Sequence, residues 1–219
     1  MKENELRWDE IYKWNKMEQN YLVYPDEEVV RILKKEFIPN NVKKVLDIGC
    51  GSGRHSLAML KEGLEVYAID SSSTSLSIAK KLCDGCNKKI FLKEGSVTAI
   101  PYAEDSFDGV LCWGILHYLS PDEVQKALKE IHRILKPRGY FALTLRSSAD
   151  SEAQNKDRDQ EMIISSARES KGLHFKYYDE KDIVSTLSLF KNVKWGHKTR
   201  TFLGDTRRVF AHWFIISQK

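Results

Sequence analysis

The chain has 219 residues, of which 42% are hydrophobic and 30% charged, and its formal net charge is +4 at pH 7. These values are ordinary for a globular protein that buries a sizeable core, and they lack the strong basic bias of a dedicated nucleic-acid binder. No apolar run approaches the roughly 20 residues of a membrane span, and the polar N-terminus lacks a signal-peptide pattern, so we expect a cytoplasmic protein without a membrane partner.

The N-terminal residues 1–40 are predicted to form two helices rich in tryptophan and tyrosine, which would cap the core. From residue 43 onward, strand and helix patterns alternate, as is typical of a parallel sheet with helices on both faces. Helices are expected after Gly53 and over 72–82. The strands predicted in this part of the chain cover 44–48, 65–69, 90–93 and 108–113.

The best-specified helix begins after Ser120. Ser120 and Glu123 are spaced as a capping box requires, and Pro121 suits the first helical turn. Apolar residues then recur at helical spacing as far as Leu135, and the proline and glycine that follow predict the end of the helix. A fifth strand is expected over 140–145.

The C-terminal third is less regular. Residues 147–172 are polar and mixed in charge, so we expect a lid-like loop, with room for a helix near Met162. A helix is predicted over 179–190, and strands over 192–203 and 208–217. The short segment 204–206 between these strands predicts a turn and therefore an antiparallel hairpin.

A glycine-rich turn follows the first predicted strand. The sequence VLDIGCGSGR runs from Val45 to Arg54 and places glycine at 49, 51 and 53. Glycine lacks Cβ, so it permits positive φ and lets a ligand approach the backbone closely. The spacing differs from the Gly-x-Gly-x-x-Gly of dinucleotide sites, and no Lys-Ser/Thr pair follows as in a phosphate loop. The turn therefore predicts a site for a nucleoside without phosphate.

The four cysteines, Cys50, Cys83, Cys86 and Cys112, fit a reducing compartment. Cys83 and Cys86 form a lone Cys-x-x-Cys without the second pair that a structural zinc needs, so no metal is expected. Cys50 between the glycines is interpreted as a spacer and not as a nucleophile.

Five short motifs stand in order along the chain: VLDIGCGSG at 45–53, AID at 68–70, GSV through IPY at 95–102, SFDGV through LHYL at 106–119, and LKPRGY at 135–140. Together they resemble the motifs of the class I S-adenosylmethionine-dependent methyltransferases, and among them the broad small-molecule group called type 11. The resemblance covers residues 43–146, with Arg138 in place of the family's usual glycine.

The resemblance implies an α/β fold. The family has a Rossmann-like, doubly wound sheet of seven strands, mostly parallel with an antiparallel last strand, and helices on both faces. We expect 1–219 to form a single domain with an N-terminal helical cap over 1–40, a cofactor-binding core over 43–146, a lid-like loop over 147–172 and a C-terminal helix and hairpin over 173–219. The implied cofactor is S-adenosylmethionine, and the product is S-adenosylhomocysteine.

The resemblance also implies roles for individual residues. Asp70 is expected to accept hydrogen bonds from the ribose hydroxyls, or alternatively to cap the following helix. Asp47 is expected to attract the ammonium of the methionine part, or to act as an acid near a helix N-terminus. Ser96 stands where an aspartate is common and would face the adenine. The full expected cofactor set is Asp47, Gly49, Cys50, Gly51, Gly53, Arg54, Asp70, Ser71, Ser96, Val97 and Trp113.

Methyl transfer mainly requires alignment and exclusion of water, and a general base is needed only if the acceptor must lose a proton. His117 is the preferred candidate for that base, with packing as its alternative role. Tyr118 and His212 are further candidates for the acceptor site. Trp8 and Tyr12 share one helix face, so their segment either closes over the cofactor or packs on the sheet edge.

The sequence leaves the methyl acceptor open. A small molecule methylated on N, O or S is favoured, and the protein is expected to be a monomer or homodimer. RNA is the second choice, because six basic residues against one acid lie between Lys191 and Arg208 and could meet phosphates. A third alternative is a protein that binds the cofactor or a partner without turnover.

Overall fold

The computed structural model describes residues 2–17, 21–154, 163–164 and 174–219. Within these ranges it contains seven α-helices, a π-helical segment at Leu33–Phe37, a 3-10 turn at Leu116–Tyr118 and nine strands. The helices are α1 (Lys2–Met17), α2 (Glu27–Ile32), α3 (Arg54–Lys61), α4 (Ser73–Cys83), α5 (Pro121–Ile134), α6 (Ser151–Gln154) and α7 (Glu180–Thr186). The strands are β1 (Lys44–Ile48), β2 (Glu65–Asp70), β3 (Phe91–Glu94), β4 (Phe107–Cys112), β5 (Leu135–Arg146), β6 (Ile163–Ile164), β7 (His174–Phe175), β8 (Lys191–Phe202) and β9 (Asp205–Gln218).

The main sheet has seven strands in the order β3-β2-β1-β4-β5-β9-β8, and β6 and β7 form a separate pair. The strands from β3 to β5 are parallel, whereas β9 runs antiparallel to both β5 and β8. The chain winds outward from β1 to β3 and then returns to place β4 on the other side of β1. In open α/β sheets, ligands bind at the carboxyl ends of the strands at such a reversal of strand order.

Two hydrophobic clusters cover the two faces of the sheet. One joins α5 and α7 to Leu46, Val110 and other side chains on one face, and the other joins α2 and α3 to Val45, Leu111 and their neighbours on the opposite face. Every residue of β1 after Lys44 is buried, as expected for a parallel strand with helices on both sides. The predicted doubly wound fold is confirmed.

Several predicted boundaries are wrong by a few residues. The fifth strand begins at Leu135 instead of Tyr140, because Leu135 already pairs with Phe107 and the register then shifts. The residue before Pro137 is biased toward extended backbone, which favours strand in this segment. The hairpin turn consists of Leu203 and Gly204 instead of 204–206, and α7 ends before the predicted residue 190. The helix expected near Met162 lies outside the described residues.

The capping predictions were more accurate. Ser120 and Glu123 form the expected capping box at the start of α5. The backbone N–H and the hydroxyl of Ser120 each donate to the Glu123 carboxylate at 3.0 Å. None of the described helices is long and apolar enough to cross a lipid bilayer.

Candidate functional site

A cavity of about 1380 Å³ lies along the carboxyl edge of the parallel strands. Its walls come from the loops that follow β1, β2, β3 and β4, from the end of β5, from α1, and from the β8-β9 hairpin. Cavities for small ligands usually measure about 300–1,000 Å³, so this one has room for a cofactor and a second molecule.

Glycine is required at two positions of the first loop for different structural reasons. Gly51 has φ +53°, and a Cβ placed there would collide with the hydroxyl oxygen of Tyr12. Gly53 has φ +84°, and its Cβ would lie 2.8 Å from the Cβ of Ala79 in α4. Gly51 therefore permits α1 to approach the loop, whereas Gly53 permits α4 to pack against it. Gly49 and Gly51 line the cavity, as do Cys50 and Ser52.

Asp70 lies at the end of β2 and is 9% exposed. One carboxylate oxygen accepts from the Gly51 N–H at 2.9 Å, and the other accepts from the Ser72 N–H at 2.9 Å. Burial raises the pKa of Asp70, while the two backbone donors act in the opposite direction. Each oxygen keeps a lone pair that can accept from a ligand hydroxyl. Ser72, not Asp70, caps α4, because its side chain accepts from the Ser75 N–H.

Asp47 lies behind the cavity wall. Its side chain is 1% exposed and accepts from the Ser56 hydroxyl at 2.6 Å. Burial is the largest influence on this group and raises the pKa of Asp47 to about 7. Asp47 is not among the residues that line the cavity. The structure therefore shows it bonded to the start of α3 beside β1, and its expected attraction for a ligand ammonium, directly or through water, stays a prediction.

Arg54 and His55 open α3, and both line the cavity. Arg54 donates to the Tyr24 carbonyl at 3.3 Å, and burial lowers the pKa of its guanidinium. His55 accepts from the Asp26 N–H at 3.3 Å, and burial holds its pKa well below the usual range. The sequence analysis did not predict that His55 lines the cavity, because its partner Asp26 lies 29 residues away and no local pattern indicates the contact.

Four further expected cofactor residues line the cavity, namely Ser71, Ser96, Val97 and Trp113, whereas Gly53 does not. Trp113 is half-buried and packs edge-to-face on His55, with ring centroids 6.1 Å apart. Cys50 lines the cavity too, but burial raises the pKa of its thiol well above the usual value, so the thiolate that a nucleophile needs is disfavoured.

Helix α1 roofs the cavity instead of packing on the sheet edge. Trp8 meets Tyr118 edge-to-face with ring centroids 5.2 Å apart, and Tyr12 lies over Gly51. The Ser72 hydroxyl donates to the Asp9 carboxylate at 2.6 Å, which connects the roof to the start of α4. Trp8 and Tyr12 both line the cavity, where aromatic rings can attract a ligand cation.

His117 lies on the floor of the cavity and is 2% exposed. Its Nδ1 has no hydrogen-bond partner among the described residues. Burial, together with nearby His212 and Arg146, holds the pKa of His117 well below its usual value, so the ring is neutral at pH 7. His212 lies with its ring centroid 6.0 Å from that of His117, and burial lowers its pKa to about 3.

Arg146 is a site residue that the sequence analysis missed. It ends β5, is 5% exposed, and donates to Asp150 at 2.9 Å. Its guanidinium carbon lies 4.7 Å from the ring centroid of Phe175 and 4.4 Å from that of Phe210. The signal available in the sequence was the arginine that directly follows five apolar or small residues of a buried strand.

Comparisons with known proteins show what the core of this chain resembles. Residues 45–139 match the family described as a methyltransferase domain. A solved SAM-dependent methyltransferase from Methanosarcina mazei superposes with a TM-score of 0.68 at 23% identity, covering 84% of this chain and 97% of that one, so the fold is shared. Residues 45–139 therefore correspond to a methyltransferase domain with type 11-like motifs, and the cofactor of that family is S-adenosylmethionine.

Further relatives show how widely acceptors differ within the class. A methyltransferase of Bacillus subtilis, YqeM, is 30% identical over 67% of this chain and 60% of its own length. A tRNA N(3)-methylcytidine methyltransferase of Schizosaccharomyces pombe, trm140, is 29% identical over 63% of this chain and 48% of its own length. The 1,6-didemethyltoxoflavin-N1-methyltransferase of Burkholderia thailandensis, solved with S-adenosylhomocysteine, has a TM-score of 0.66 at 20% identity, covering 88% of this chain and 77% of that one. The chain spans about half the length of the first curated relatives it matches.

The residues present fit the family's cofactor. The carboxylate of Asp70 suits ribose hydroxyls, and the loop around Gly51 leaves backbone open to the cavity. Arg54 at the start of α3 suits a ligand carboxylate. Among the described residues, no group of three or more His, Cys, Asp or Glu side chains is arranged to hold a metal ion.

Proposed function

We propose that this protein transfers the methyl group of S-adenosylmethionine to an N, O or S atom of a small molecule. The observation that carries the proposal is a roofed cavity that is lined both by Asp70 and the glycine loop and by His117, Arg146 and His212. We further propose that the whole chain acts as one domain, because α1 and the C-terminal hairpin both contribute walls to this cavity.

In this proposal Asp70 holds the ribose, Gly49 and Gly51 lie against the methionine part, and Ser96 and Val97 face the adenine. When bound, S-adenosylmethionine supplies a methyl group on a positively charged sulfur, which an acceptor lone pair can take while the C–S electron pair stays on sulfur. Helix α1 excludes water from the site, and exclusion of water together with alignment is the main demand of this chemistry.

His117 is proposed to orient the acceptor. A neutral ring with an unprotonated nitrogen can accept a hydrogen bond from an acceptor N–H or O–H. Its pKa is held well below the usual range, so it is too weak a base to deprotonate an alcohol. This environment favours an acceptor atom that needs no strong base, such as an amine nitrogen, a sulfur or an acidic hydroxyl.

An RNA base is the second candidate, and the tRNA-modifying relative favours it. The basic hairpin offers less unpaired positive charge to phosphates than its sequence indicates. Lys194 lies 3.4 Å from Glu36, and Lys198 lies 3.8–3.9 Å from Asp26, Glu27 and Glu28. These acids would compete with phosphates for the two lysines.

The test combines cofactor binding with an acceptor screen. Calorimetric titration of S-adenosylmethionine should show binding, and Asp70→Ala should weaken it at least several-fold. Asp84→Ala removes an exposed acid just after the same helix α4 and should leave the affinity unchanged. Unchanged affinity in Asp70→Ala would refute the ribose assignment. Formation of S-adenosylhomocysteine is then measured over small acceptors and bulk tRNA, and turnover with tRNA alone would select the second candidate.

A further inference from the structure

The β8-β9 hairpin forms the outer wall of the cavity. Side chains alternate between the two faces of a strand, and the cross-strand pairs Lys198–His212 and Arg200–Phe210 lie on the same face. Seven side chains of this face line the cavity: Lys198, Arg200, Phe202, Arg208, Phe210, His212 and Phe214. The wall is therefore built from cations and aromatic rings.

Two of these cations are available to a ligand. Lys198 already lies close to the acids of α2. No carboxylate among the described residues pairs with Arg200 or Arg208, and each guanidinium instead stacks on a phenylalanine. The Arg200 guanidinium carbon lies 4.7 Å from the ring centroid of Phe210, and that of Arg208 lies 4.3 Å from the ring centroid of Phe202. Stacking fixes the plane of a guanidinium and leaves its N–H edges directed outward for an anion.

The order of the strands places this pair across the cavity from Asp70. Asp70 ends β2, whereas Arg200 lies on β8 at the opposite edge of the sheet and Arg208 lies on β9. Neighbouring strands are about 4.8 Å apart, so β8 lies about 10 Å beyond β5, where Arg146 borders the floor. Burial lowers the pKa of the Arg54 guanidinium, and Arg200 is near enough to lower it further. An anion at the hairpin would therefore lie on the far side of the cavity from the ribose that Asp70 is proposed to hold, and its charge would offset the repulsion between Arg54 and Arg200.

We propose that the methyl acceptor is a small aromatic acid, whose carboxylate or phosphate is bound by Arg200 and Arg208. Its ring packs among Phe202, Phe210 and Phe214, and its nucleophilic atom lies toward His117. The anion makes charge-assisted hydrogen bonds to the guanidinium edges, and the rings supply apolar contact. This inference rests on the proposed function, because it deepens the assignment of the same cavity.

Binding of 2-naphthoate tests the proposal, with 2-naphthamide as its neutral counterpart and cyclohexanecarboxylate as its non-aromatic counterpart. Affinities are measured by ligand-observed NMR with and without saturating S-adenosylhomocysteine. We expect 2-naphthoate to bind at least tenfold more tightly than either counterpart. Arg200→Gln and Arg208→Gln should each weaken it about tenfold, which corresponds to about 1.4 kcal/mol. Both variants should keep the affinity for S-adenosylhomocysteine.

Arg207→Gln is the matched control, because Arg207 is exposed, neighbours Arg208 on the same strand and does not line the cavity. It should leave 2-naphthoate binding unchanged. Equal binding of the amide and the acid would overturn the proposal. Equal losses of 2-naphthoate affinity in all three arginine variants would also overturn it, because they would indicate a diffuse positive potential of the kind that attracts RNA. The titration without S-adenosylhomocysteine separates the two ideas: if that product fails to bind while 2-naphthoate still responds to Arg200 and Arg208, the proposed function fails and the acid site remains.

Discussion

The Ser72 hydroxyl donates to the carboxylate of Asp9 at 2.6 Å and so connects two helices whose contacting residues are 63 positions apart. The same serine caps α4 by accepting from the Ser75 N–H at 3.1 Å. One side chain therefore holds the cavity roof and the helix that follows Asp70. Because Asp9 takes part only in the first of these contacts, its removal acts on the roof and leaves the cap of α4 in place.

We expect Asp9→Ala to speed the release of S-adenosylhomocysteine several-fold, because α1 loses its hydrogen bond to α4. The free energy of unfolding should fall by about 1 kcal/mol, because the buried Ser72 hydroxyl loses its acceptor. The ion pair between Lys13 and Asp9 is also lost, but exposed pairs contribute little. Stopped-flow fluorescence of ligand release measures the rate. Lys13→Ala, which removes the exposed ion pair and keeps the bond between Ser72 and Asp9, should leave the rate unchanged, and equal rates in both variants would contradict the role of this contact.

Gly53 and Gly63 offer a matched pair for the packing of the glycine loop. Both have positive φ, +84° and +81°, but a Cβ at Gly53 would lie 2.9 Å from the Cα of Ala79, whereas nothing lies within 4 Å at Gly63. Alanine at either position pays backbone strain of about 1–2 kcal/mol. Gly53→Ala should lower the free energy of unfolding by at least about 1 kcal/mol more than Gly63→Ala. Urea denaturation measures both, and equal losses would show that α4 moves away without cost.

The buried Asp47 should make stability depend on pH. Its pKa is about 7 in the folded protein against an ordinary value of 3.8, so between these pH values the folded state holds a proton that the unfolded chain releases. Its favourable contribution is present below about pH 4 and is lost as pH rises through 7. Three pK units correspond to roughly 4 kcal/mol as an upper limit.

The measurement compares Asp47→Asn with the unchanged protein by urea denaturation from pH 4 to pH 8. As pH rises, the free energy of unfolding of Asp47→Asn should increase relative to that of the unchanged protein. Taking the difference removes the opposite contributions of His55 and His117, whose lowered pKa values weaken the fold as pH falls below about 6.5. Asp84→Asn, at an exposed acid, should show no such trend. A constant difference for Asp47→Asn would disprove the raised pKa.

Arg146 should stabilise the folded protein through its buried ion pairs at the C-terminal half of the cavity. It pairs with Asp150 at 2.9 Å and lies 3.6 Å from Glu152, with all three side chains largely buried. Arg146→Met leaves Asp150 without its charge partner, and removing one member of a buried pair typically costs about 3–5 kcal/mol. Arg146→Met should therefore lower the free energy of unfolding by about 3 kcal/mol. Arg207→Gln is the control for loss of an exposed arginine, and chemical denaturation that shows similar stability for the two variants would argue against the pairing.

The sequence predicted the parts of the fold that depend on local patterns. The capping box of Ser120, the turn around Gly51 and the acid that ends β2 all depend on residues within a few positions of one another. The start of β5 was predicted wrongly, because pairing of Leu135 with Phe107 is a tertiary contact. Capping of α4, the alternative role considered for Asp70, belongs to Ser72, whose side chain accepts from the Ser75 N–H.

Parts of the site could not be predicted because their partners are distant in sequence. The roof contact between Asp9 and Ser72, and the bond from the Asp26 N–H to His55, each join segments about 30 to 60 residues apart. The burial of Asp47 depends on how closely α3 packs against β1, which the glycine spacing alone does not specify. The aromatic and basic wall of the hairpin required knowledge of which face of β8 meets the cavity.

The register of the β8-β9 hairpin also limits how the proposed preference of the protein for an anionic methyl acceptor can change. Its two-residue turn at Leu203 and Gly204 lies beside a register shift between Thr201 and Phe202, and a second shift lies between Lys191 and Lys194. Moving a strand by one residue turns every side chain to the other face. A single-residue insertion between these shifts would exchange Arg200 for a neighbouring threonine at the cavity, whereas a two-residue insertion would keep the parity. Homologues with odd and even hairpin lengths should therefore fall into separate groups of acceptor charge.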